Sequence, residues 1–172
     1  MQMKISLGSL ATRAPVAAAL ASLALAPIAA QAQTYARVTG NDMSQCRSGP
    51  AVRVAISGLK SGSGNLFVRI YYAKRSDWLK SKRYLTRVDA SPRAGTMTVC
   101  VPIDGAGTYA IAVQHDVNGN RETDFSTDGA GMSNNPKIGS FLGIPRPPSV
   151  DKASFRAGTG VTNVRISMRY PD

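Results

Sequence analysis

The sequence predicts an all-β fold, a sandwich of two sheets, and three observations carry that expectation. Short apolar runs recur with a period of two, each bounded by glycine or proline. No window sustains the 3.6-residue spacing of a long amphipathic helix. No internal repeat divides the chain into stacked units.

The elements follow in order. Lys4 and Arg13 precede an uncharged, alanine-rich stretch from Ala14 to Ala32 that closes on Ala30-Gln31-Ala32, a small-x-small cleavage site. Residues 1–32 therefore read as a secretory signal peptide, which places the mature chain in the periplasm or outside the cell. A membrane anchor would need about 20 strongly apolar residues, and no later segment could span a bilayer. Cleavage leaves 19 basic side chains against 10 acidic ones, net +9 over 140 residues. That length suits one domain, read as an N-terminal extension at 33–48 and a sandwich at 49–172. Outside the cytoplasm, such a charge favours an anionic envelope polymer as partner over nucleic acid.

Val52, Val54 and Ile56 alternate with Arg53, Ala55 and Ser57 up to Gly58. Leu66, Val68, Ile70 and Tyr72 alternate with Phe67, Arg69 and Tyr71, and the two runs look like a hairpin turned at Gly62 and Gly64. From Asp77 to Tyr84 the alternation fails, so a short helix or wide loop is expected with Trp78 tucked beneath it. Met97, Val99, Val101 and Ile103 form a third row, and Tyr109, Ile111, Val113 and His115 a fourth. Phe125 to Val150 is a long irregular loop of 26 residues, rich in glycine, asparagine and proline. Phe155 lies in a short run, and Val164, Ile166, Met168 and Tyr170 alternate with Arg165, Ser167 and Arg169. Six or seven strands with one apolar face each make two facing sheets.

Cys46 and Cys100 are the only cysteines, and export predicts that they bond to each other. Closing a loop of about 55 residues contributes roughly 4 kcal/mol in the chain-entropy model. Cys100 shares parity with Thr96 and Thr98, so the bridge should clip the segment around Cys46 onto the outside of a sheet.

The richest chemistry follows the fourth row. Asp116, Asn118, Asn120, Glu122 and Asp124 place a side-chain oxygen at every second position. Two readings are open. Calcium loops offer Asp and Asn at positions 1, 3 and 5, but position 6 here is Arg121 and position 12 is Thr127. The alternative is a loop braced by Asx-turns with Gly119 at positive φ. His115 is the only histidine, too few for a zinc site, and no serine sits in a Gly-x-Ser-x-Gly turn. The inventory argues against an enzyme and leaves a hydrolase as a remote alternative. A binding surface built by the Asp116 loop and the long loop, with His115, Asp128, Asn134 and Asn135, is the leading expectation. The alternative is a polyanion-binding or adhesin-like face of Arg53, Arg69, Arg165 and Arg169.

The run from Cys46 through Gly58-Leu59, the Gly107-to-Val113 strand, the block His115-Asp116-Val117-Asn118-Gly119-Asn120 and the loop Ser126 to Lys137 resemble a family of exported bacterial proteins described only as a domain of unknown function, number two-one-four-one. The resemblance covers nearly all of the mature chain and implies a seven-stranded transthyretin-like or immunoglobulin-like sandwich in the periplasm. It implies no activity, so no catalytic residue is carried over. Arg121 stands where the family's block resembles one ending in glycine.

Overall fold

The computed structural model describes residues 34–141 and 144–171, so the export segment read at residues 1–32 lies outside the described residues. Eleven strands are present among these residues: β1 (Arg37–Gly40), β2 (Ala51–Leu59), β3 (Asn65–Tyr72), β4 (Thr86–Ala90), β5 (Gly95–Pro102), β6 (Gly107–Asp116), β7 (Gly129–Met132), β8 (Gly139–Phe141), β9 (Ile144–Arg146), β10 (Ser154–Ala157) and β11 (Val161–Ser167). The one α-helix among them is α1 (Val150–Ala153). The all-β expectation holds, but the strand count exceeds seven. The unexpected strands β1, β4, β7, β8 and β9 have only three to five residues, too few to show a clear period.

The larger sheet runs β1-β4-β3-β6-β10, with β7 also on β6, and the smaller runs β11-β2-β5. Their apolar rows meet in one core. Val54 and Ile56 of β2, Val99 of β5 and Ile166 of β11 pack with Val68 and Ile70 of β3 and Ile111 of β6. Each of these side chains is closed to solvent, as the alternation requires. The expected hairpin of β2 and β3 is not formed. β2 pairs with β5 and β11, while β3 pairs with β4 and β6 in the other sheet. Two strands that send apolar rows into a core from opposite sides have the same periodicity as two paired strands, so period two cannot separate the arrangements.

Cys46 and Cys100 form a disulfide, with Cα atoms 5.8 Å apart. Both are buried with Ala51 in a small cluster separate from the main core. Thr96 and Thr98 of the same strand are exposed, so the outer-face parity is correct and the burial of Cys100 comes from the segment folded over it. Arg53 holds that segment by donating to the Cys46 carbonyl at 2.7 Å. Within the span read as an N-terminal extension, β1 pairs in parallel with β4.

Trp78 is buried beneath a run of turns, and no helix forms from Asp77 to Tyr84. Its indole N–H donates to the Pro148 carbonyl at 2.9 Å. The carboxylate of Asp77 pins this loop through Arg83 at 2.7 Å and the Tyr35 hydroxyl at 2.8 Å. The expectation of an irregular Phe125–Val150 loop is corrected. It contains β7 and the β8–β9 hairpin, and β7 continues the edge of β6 where β10 stops. Ser133 seals that junction, fully buried: its hydroxyl accepts from the Ile111 N–H at 2.9 Å and donates to the Ala153 carbonyl.

Candidate functional site

At the end of β6 the chain turns on its own side chains. Asp116 is closed to solvent, accepting from Gly119 N–H at 2.9 Å through Oδ1 and from Arg121 N–H and the Asn65 amide at 3.0 Å through Oδ2. Burial alone would raise its pKa, but the Asn65 amide and the backbone N–H groups of Arg121, Gly119 and Asn120 outweigh it and hold the carboxyl below the ordinary range. Asn118 and Asn120 accept from the N–H groups of Asn120 and Glu122, and both amides converge at 2.7 Å on Oδ2 of Asp124. Glu122 is exposed and contributes its backbone, whose carbonyl accepts from Gln114. This is the Asx-braced geometry, with Gly119 at φ +74° as expected. Arg121 lies at φ +66°, a left-handed conformation that favours glycine.

The other expected binding residues are also structural here. Nε2 of His115 lies 2.9 Å from the Ser63 carbonyl, which can only accept, so Nε2 carries the proton. Nδ1 then accepts from the Tyr170 hydroxyl at 2.6 Å, and that hydroxyl accepts from the Lys60 N–H at 3.0 Å. Thus the ring, closed to solvent, fastens the β2–β3 connection and the C-terminal segment rather than the Asp116 loop. Asp128 accepts from Val117 N–H, Asp124 N–H and the Gln114 amide. Asn134 donates to the Ser154 carbonyl at 2.7 Å, and Asn135 both donates to Arg165 and accepts from Ser167. These two asparagines tie the end of β7 to β10 and β11. The four arginines expected to form one basic face are divided: Arg53 and Arg165 lie on the smaller sheet, Arg69 on the larger, and Arg169 beyond β11, bridged to Ala130.

A cleft of about 880 Å³ opens on the outer face of the larger sheet. Register builds its floor. One row across the sheet reads Arg87, Arg69, Ala112 and Met132, and the next adds Gln114 and Ala130. The small Ala112 between longer neighbours makes the floor hollow. Tyr71 and Tyr84, in edge-to-face contact at 6.4 Å, close one end. The rim comes from Leu79 to Lys82 on one side and Thr123 to Phe125 on the other, with Ile138 and Pro147 from the long loop. Phe125 at 64% and Leu79 at 36% are among the few large apolar side chains left exposed, and both border this cleft. Leu79 and Lys82 also hold left-handed backbone, at φ +57° each, the kind of local strain that clusters at functional sites.

Arg69 is the polar centre of the floor. It donates to Oε1 of Gln114 at 3.1 Å and lies 5.2 Å from the centroid of Phe67. Burial pushes its guanidinium pKa down. Arg87, by contrast, is held bidentately by Asp89 at 2.6 and 3.0 Å.

A family model described as an uncharacterized protein conserved in bacteria (DUF2141) matches residues 54–165. The chain belongs to this family. The match runs from β2 into β11 and so contains the core of both sheets, the Asp116 loop and the cleft floor. No curated protein and no solved structure matches the chain.

Of the cleft floor, Arg69 was singled out from the sequence only as part of a basic face, and Tyr71, Ala112, Gln114 and Met132 were not. A signal was present. The outward positions of β3 and β6 include Phe67, Tyr71, Ala110 and Ala112, which are apolar where a solvated face would be polar. A strand apolar on both faces is covered on both faces.

Proposed function

We propose that this family member is an exported, non-enzymatic β-sandwich module of transthyretin-like or immunoglobulin-like type that binds a small ligand in the cleft over Arg69 and Ala112. The observation that carries this reading is the hollow itself. Its volume of about 880 Å³ falls within the span of small-molecule sites, roughly 300–1,000 Å³, and it combines a mostly apolar lining with a few convergent polar groups. Its walls combine the 79–82 turn with parts of the two loops after Asp116 and Phe125, and of the residues expected to bind, Asp124 and Asp128 border it while His115, Asn134 and Asn135 do not. The reading of residues 1–32 as a signal peptide supports a ligand met in the periplasm or outside the cell. We read the Asp116–Asp124 loop as a wall braced by its own hydrogen bonds rather than by calcium, because the side-chain oxygens of Asp116, Asn118, Asn120 and Asp124 already accept from loop donors.

Titration with the uncharged fluorophore N-phenylnaphthylamine tests the cleft. Saturable one-site binding that is lost in Ala130→Trp, which fills the hollow, is the expected result. No saturable binding to the folded wild-type chain would overturn it.

A further inference from the structure

We infer that the ligand is a small amphipathic anion, with one oxyanion seated on Arg69 and an apolar body lying over Ala112 toward Tyr71 and Met132. This deepens the proposed cleft function and rests on it. The cleft's lining has five cationic side chains, Arg69, Lys80, Lys82, Arg87 and Arg169, against two carboxylates, Asp124 and Asp128. The carboxylates are occupied. Asp128 is buried and accepts through both oxygens, and Oδ2 of Asp124 accepts the amides of Asn118 and Asn120. Arg87 is matched by Asp89, and Arg169 turns toward the Asn135 carbonyl.

Arg69 differs from these neighbours. Only its Nη1 is used, on the neutral Gln114, and it forms no salt bridge among the described residues. The one buried side-chain nitrogen or oxygen lacking a partner among the described residues is Nε of Arg37, so the remaining Arg69 nitrogens, half-buried in the cleft lining, are not sealed from solvent. A half-buried guanidinium with a free edge, fixed by Gln114 and the Phe67 ring, presents parallel donors that match a planar oxyanion. Gln114 is itself fixed, since its amide is engaged by the Glu122 carbonyl and by Asp128. Lys80 and Lys82 on the rim add attraction at the entrance.

Two fluorophores with nearly the same aromatic body separate charge from cavity: anilinonaphthalene sulfonate, an anion, and N-phenylnaphthylamine, which is neutral. Arg69→Gln is expected to weaken sulfonate binding about tenfold more than it weakens binding of the neutral dye, the difference being one charge-assisted contact. Arg69→Lys should fall between. Neutral-dye binding with sulfonate affinity untouched by Arg69→Gln would overturn the anion assignment and leave the cleft standing. Binding of neither dye would remove the cleft itself. Should Arg69→Gln fail to fold, wild-type salt dependence decides. Sulfonate affinity falling from low to near-molar sodium chloride while the neutral dye holds supports the assignment, and equal responses overturn it.

Discussion

Asp116 shows how a single side chain can set a loop. Three donors converge on it, so Asp116→Asn would place an amide N–H₂ against groups that also donate. The expected loss is about 2–4 kcal/mol, read as a fall in the urea midpoint. The pKa of Asp116 is depressed in the folded chain, and so is that of Asp77, where burial opposes but the hydrogen bonds from Arg83 and Tyr35 prevail. A depressed carboxyl binds fewer protons folded than unfolded, so its contribution is complete above the unfolded value of about 3.9 and is lost as pH falls through the lower folded value. Urea midpoints should therefore be flat above about pH 5 and drop below about pH 4. Excess calcium or EDTA should leave the melting temperature unchanged, and a clear rise with calcium would show that the loop oxygens exchange their internal donors for a cation.

At the scale of elements, the least legible part of the sequence proves to be the most constructive. β7 has four residues, two of them glycine, and no apolar alternation. Its glycines are inward: a Cβ on Gly131 would lie 2.7 Å from Cγ2 of Ile166 and 3.0 Å from Sδ of Met168. Gly131→Val should cost about 1–3 kcal/mol by overpacking, with Ala130→Ser, on the outer face, near neutral in the same melt. The long strands were readable because burial of one face imposes alternation over seven residues or more, as in β2, β3 and β11. Which strands pair was not, because β2 and β3 present identical rows whether they lie side by side or face to face. The cleft escaped for a related reason. Its floor residues come from β3, β4, β6 and β7, distant in sequence, and only register sets Arg69 beside Ala112.

For the whole molecule, two sheets enclose one core, a disulfide clips the outside of the smaller sheet, and short segments finish the edge of the larger. The Cys46–Cys100 bridge spans 54 residues of sequence, so replacing both cysteines by serine should lower stability by roughly 2–4 kcal/mol without changing the β-sheet circular dichroism. Thr123 to Phe125 from the loop after Asp116, and Ile138 and Pro147 from the long segment, border one hollow with the 79–82 turn. Amide chemical-shift mapping with N-phenylnaphthylamine tests that central relation most directly. Saturating shifts gathered at Arg69, Tyr71, Ala112, Gln114 and Met132 are the predicted result, and shifts absent or confined to the outer face of β2, β5 and β11 would contradict it.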